Sequence, residues 1–193
     1  IKNNATLTMQ SGALGATTGH VMQPVENTTC ILDKNSYIFS TATDSSAVYV
    51  KIPDFSWSSG NIYSAGKGLY LEGTSTMQIT ASVSHAVIIG GTNYGISGNY
   101  YTATIDSGSI ISGDNYGIYE GYGTTVTVNS GAVVKSKSYG VYQGQSSTFT
   151  LNGGLIEVNN NSNGDATGIS GYSNTYYNYY GRVNVLGGTI NVT

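Results

Sequence analysis

Apolar and polar residues alternate along this chain in short bursts that recur. The clearest pair is Val126-Thr127-Val128-Asn129-Ser130-Gly131 and Phe149-Thr150-Leu151-Asn152-Gly153-Gly154. Written as apolar, polar, apolar, polar, small, Gly, any, apolar, the block has eight copies. They start at Leu7, Cys30, Phe55, Met77, Ala103, Val126, Phe149 and Val183, at intervals of 23, 25, 22, 26, 23, 23 and 34 residues. The third position is apolar throughout (Met9, Leu32, Trp57, Ile79, Ile105, Val128, Leu151, Val185), and the second is polar in seven copies. Such period-two alternation marks a half-buried strand. Position six is Gly except for Asn35 and Ser82, which points to a left-handed backbone turn. Position eight returns to apolar at Leu14, Tyr37, Ile62, Ile110, Val133, Ile156 and Ile190, with Ser84 the exception. A further apolar strand lies ahead of most blocks, centred on Val21, Val48, Leu69, Ile96, Ile118 and Val141, and on Ile169 in the last coil.

Each repeat thus offers about three short strands separated by turns. A single turn of roughly 23 residues cannot bury its own apolar face, so successive turns must stack. The predicted fold is all-β: a right-handed parallel β-helix of about eight coils, roughly 38 Å long at ~4.8 Å per coil. It forms one domain over 1–193, with regular coils over 67–193 and less regular ones over 1–66. Polar side chains at position four then lie one above another. The series Asp106, Asn129, Asn152 is predicted to form a hydrogen-bonded ladder between coils, a structural role.

Composition agrees. The 193 residues include 27 glycines, 17 tyrosines and only 2 prolines, with 9% charged residues and a net charge of −3. The scarcity of strong helix formers argues against helix. Seven basic residues give no footprint for nucleic acid, and no apolar run reaches the ~20 residues of a membrane-spanning helix. Cys30 is the one cysteine, so no internal disulfide forms. Its place in the block predicts an inward-facing core residue. The chain starts at Ile1 and ends on Ile190-Asn191-Val192-Thr193, which reads as mid-strand, as in a fragment of a longer protein.

The Tyr116-Gly117-Ile118-Tyr119 and Val126-Thr127-Val128-Asn129-Ser130-Gly131 blocks resemble repeats of bacterial surface proteins, notably the pectate-lyase-like β-helical passengers of autotransporter adhesins. The resemblance implies an extracellular or cell-surface protein acting in adhesion, aggregation or biofilm. Its partners would be a glycan, a host or bacterial surface protein, or further copies of itself. No motif carries a functional residue over one for one.

The same architecture also hosts polysaccharide hydrolases and lyases, and fold alone does not decide between them. A hydrolase needs two carboxylates facing one groove. Glu72 and Glu120, five and six residues ahead of their blocks, are the one pair whose offsets allow it. Solvated surface positions are the plainer expectation for both. His20, His85 and Cys30 lack partners at metal-binding spacings, so neither metal nor cofactor is expected. Tyr94, Tyr116 and Tyr139 each precede a glycine and read as a packing column. Tyr172, Tyr176, Tyr177, Tyr179 and Tyr180 instead crowd into nine residues where the last coil is lengthened. Insertions in repeat proteins map to surface loops, commonly on the binding face. Rigid tyrosines among Asn and Ser suit recognition, so this loop is the predicted ligand-binding site of a non-enzymatic binding protein.

Overall fold

The computed structural model describes residues 6–24, 29–160, 164–174 and 179–193. It is all-β, with parallel strands stacked coil upon coil into a β-solenoid. Each coil lays one strand on each of three faces. The first face carries the repeat blocks, including Asp54–Trp57, Ile79–Val83, Tyr101–Ile105 and Thr125–Asn129. The second carries Ser36–Ser40, Asn61–Ser64, Val87–Gly90, Ile110–Gly113 and Val133–Ser136. The long strands Thr148–Val158 and Arg182–Val192 each serve both faces. The third face is a six-stranded parallel sheet running from Ser46–Val50 through Lys67–Glu72, Tyr94–Asn99, Tyr116–Glu120 and Tyr139–Gln143 to Thr167–Gly171. Six coils therefore hold all three strands. The first lays no full strand on the third face and meets it through an isolated bridge from Met22 to Val48 and the residues beside it, and the last only reaches the second face. The eight blocks thus correspond to six full turns and two partial ones.

Inward positions form aliphatic columns along the axis. On the second face Ile38, Ile62, Ile88, Ile111, Val134 and Ile156 stand in register and are fully buried. Leu69, Ile96, Ile118 and Val141 do the same on the third face. The predicted third block position is likewise core in the middle coils, from Trp57 at 1% exposure to Val128 and Leu151 at 0%. In the last coil its counterpart Val185 is 57% exposed, because no further coil lies on it among the described residues.

Four expectations are corrected. The fourth coil's strand pairs through Ala81 and Val83, in register with Ala103 and Ile105, so its block begins at Ala81 and not at Met77. The inward residue after the turn is Ile38, Ile111 or Val134, one place beyond Tyr37, Ile110 and Val133, which sit on the outer side. The turn between the first two faces varies by one residue, and a fixed block length hides that. Third, the left-handed position is not always the sixth. It falls at Gly108 and Gly131, but at Gly153 in the seventh coil and at His85 (φ 50) in the fourth, while Asn35 does not adopt it. In the first coil Met22, not Val21, stands in register with the strand centre Val48.

The ladder at position four is present. Asn129 Nδ2 donates to Asp106 Oδ1 at 2.7 Å, and Asn152 Nδ2 donates to Asn129 Oδ1 at 2.9 Å. Charges also sit beside opposite partners on adjacent coils, Lys137 with Asp114 at 2.9 Å and Lys135 with Glu157 at 3.0 Å. The Cys30 side chain lies outside the described residues.

Candidate binding face

The Tyr-Gly-Ile-Tyr repeat builds the outer surface of the third face. In a regular strand, residues three apart point to opposite sides. Here Gly117 and Ile118 are both buried in succession, and Tyr116 and Tyr119 flank them on the outside. The glycine makes this possible. A Cβ on Gly117 would sit 2.4 Å from Val134 Cγ1 and 2.8 Å from the Gly140 carbonyl, so only a bare backbone can pass that close to the second face. Gly95 and Gly140 meet the same wall through Ile111 and Ile156.

Two tyrosine columns result. Tyr94, Tyr116 and Tyr139 stack with centroids 5.3 and 5.1 Å apart and planes within 25°. Beside them Tyr119 and Tyr142 lie 5.1 Å apart and nearly parallel at 4°. Tyr49 and Tyr70, at 5.5 Å, continue this second column on earlier coils, with His20 stacked on Tyr49 at 4.5 Å. Tyr116 meets Tyr119 edge to face at 5.4 Å, which knits the columns together. All seven tyrosines are half-buried, so each ring keeps part of its surface accessible. Partial burial, with neighbouring phenols adding to it, raises the Tyr116 and Tyr119 hydroxyls above their ordinary value and keeps them as neutral donors. The face spans five coils, about 19 Å.

The column predicted from sequence is present as a stack, and because its rings are only half-buried it also forms part of the surface, with a second column beside it. Strict alternation places one tyrosine of each pair inside, which is why this face was missed. The available signal was the glycine at a fixed place between two aromatic residues.

The predicted tyrosine loop is only partly described. Tyr176 and Tyr177, and the Tyr179 side chain, lie outside the described residues. Ser173–Asn174 pairs antiparallel with Tyr179–Tyr180, forming a short hairpin after the third-face strand of the seventh coil. Tyr172 is half-buried and Tyr180 is 52% exposed. The hairpin is tied down where the Tyr172 amide donates to the Gln143 carbonyl at 2.9 Å.

Glu72 and Glu120 do not face a common groove. Glu72 is in register with Asn99, whereas Glu120 is in register with Gly98, the neighbouring position on the same strand. That single step reverses their directions. Glu72 points outward, where Lys51 Nζ reaches it at 2.8 Å and the Tyr49 hydroxyl donates to it. Glu120 points into the solenoid at 0% exposure, and neither carboxyl oxygen has a hydrogen-bond partner among the described residues. Burial pushes its pKa up to about 8, and the nearby Ser147 and Thr124 hydroxyls, neither in hydrogen-bond geometry with it, offset this only in part. Burial, with a smaller contribution from the neighbouring Glu120, lifts the Tyr101 phenol well above the ordinary range.

Among the described residues no three His, Cys, Asp or Glu side chains converge as a metal site, and no helix is long and apolar enough to cross a membrane. No protein-family description, curated protein or solved structure matches the chain.

Proposed function

We propose that this β-solenoid is a non-enzymatic binding rod that takes saccharide chains along its tyrosine face, as an adhesin of the extracellular or cell-surface kind. The observation that carries this reading is the stacked, half-open tyrosine surface across five coils. The C–H faces of a pyranose carry slight positive charge and pack on the negative faces of aromatic rings that no stacked neighbour covers. Phenolic hydroxyls at the edges can bond sugar hydroxyls. A rigid β-scaffold presents these groups with little loss of entropy on binding. The likeness of the repeats to exported adhesins supports the location.

The test is an oligosaccharide array probed with the purified chain and with a variant in which Tyr116, Tyr119, Tyr139 and Tyr142 are all threonine. Threonine already occupies the outward column of the first face at Thr104, Thr127 and Thr150, so the sheet should persist. Binding should fall at least about tenfold with the β-type circular dichroism unchanged. A second variant carries alanine at Tyr176, Tyr177, Tyr179 and Tyr180. If that one alone loses binding, the hairpin and not the face is the site.

A further inference from the structure

One rung of the second tyrosine column is absent. In register, the outward residues are Tyr49, Tyr70, Ser97, Tyr119 and Tyr142. Where rings are adjacent they stand 5.5 or 5.1 Å apart. Between Tyr70 and Tyr119 lie two coil rises, about 9.6 Å, and only a serine. A notch of about 170 Å³ opens there, lined by Lys67, Tyr70, Tyr94, Ser97, Asn99 and Tyr119. Its height equals two aromatic stacking steps, so one saturated six-membered ring fits it as the missing rung. Tyr94 leans to 5.0 Å from Tyr119 and forms the side wall.

The polar groups of the notch are donors without acceptors. Ser97 is 2% exposed, and its hydroxyl has no partner among the described residues, a state that costs free energy until an acceptor arrives. Asn99 spends its Oδ1 accepting the Tyr122 amide at 2.9 Å, which leaves its amide N–H groups for a ligand. Lys67 Nζ sits 5.1 Å over the Tyr70 ring and 5.9 Å from that of Tyr94, and it makes no ion pair among the described residues. The carboxylate on the same strand as Lys67, Glu72, is already held by Lys51 at 2.8 Å.

We infer that the Ser97 notch is a subsite for one acidic sugar residue, a pyranose bearing a carboxylate or sulfate, stacked between Tyr70 and Tyr119 with its anionic group at Lys67. This rests on the tyrosine face being a saccharide platform. The face grips the chain and the notch selects its charge.

The experiment measures affinities for matched oligosaccharides: uronate-containing and sulfated chains, each beside its carboxyl-reduced or desulfated counterpart. The native chain should prefer the acidic member by about tenfold, the worth of one charge-assisted contact, and added salt should narrow the gap. Lys67→Gln should bring the ratio close to one while neutral chains bind as before. Ser97→Tyr, which completes the column, should do the same by filling the notch; if it fails to fold, Lys67→Gln decides. Binding without acidic preference in the native chain, or a preference that survives Lys67→Gln, overturns the subsite but leaves the platform standing. Absence of binding to every oligosaccharide overturns both. The carboxylate and sulfate arms show separately which anion the notch takes.

Discussion

Two corners of the solenoid stack an acid beside amides on successive coils, and they differ in every consequence. After the first face, Asp106, Asn129 and Asn152 form a ladder on the outside, each amide donating to the oxygen one coil back. After the third face, Glu120 and Gln143 occupy adjoining coils in register but point inward at 0% exposure. There Gln143 Nε2 finds backbone carbonyls at Ser147 and Arg182, yet its Oε1 and both Glu120 oxygens are unpaired among the described residues. Outside, water shares the work of satisfying each oxygen, and the ladder adds order at little electrostatic cost. Inside, the carboxyl meets the full penalty of desolvation and is held in its neutral form, where its proton becomes a donor beside an unfilled amide acceptor. The chemistry of the pair is common to both corners; burial alone separates them.

The most decisive way to break this contrast is Glu120→Gln, which removes the ionisation and keeps the shape. Glu120 has its pKa raised in the fold from 4.5 to about 8. A carboxyl shifted this way stabilises the fold fully below its unfolded pKa, and that stability is lost as pH rises from about 4.5 towards 8. The loss across that window is on the order of 5 kcal/mol. Urea midpoints at intervals through the window should fall with pH in the native chain and fall much less in the variant. Equal slopes in the two proteins would mean that Glu120 is ionised or hydrated in the fold. Asn129→Ala is smaller in effect. It removes the middle rung, with one bond given and one received, and should cost roughly 1–2 kcal/mol with little dependence on pH. A change under a few tenths would show that the outer ladder is ornamental to stability. Smallest of all is Asp106→Asn, which makes the outer ladder all amide and should shift stability by about 0.5 kcal/mol or less. If it instead matches Glu120→Gln in the pH experiment, the two corners are not electrostatically distinct.

The outer ladder was legible because its residues recur at the same block position and 23 residues apart, which puts them in register on adjacent coils. The strand centres Val48, Leu69, Ile96, Ile118 and Val141 were legible for the same reason. What escaped was whatever depends on a single-residue step. Met77-Gln78-Ile79 alternates as well as Ala81-Ser82-Val83, and only stacking against Ala103 and Ile105 chooses the latter. Glu72 and Glu120 differ by one place in register, enough to send one to solvent and the other to the core. The tyrosine face was hidden by an interruption of alternation, since Gly117 and Ile118 are buried together. Period two describes a strand's average course, and the tyrosine face forms where the chain departs from it.

The ladder bonds have a mechanical side as well. They run along the rod and join residues about one coil apart, as Asp106 and Asn129 are joined across 23 positions. Tension between the two ends therefore loads the coils in series, and the rod gives way one seam at a time. Each detached coil would trade a rise of ~4.8 Å for about 75 Å of extended chain. A rod built this way lengthens in discrete steps under load, and each released coil dissipates work while the remaining ones stay folded.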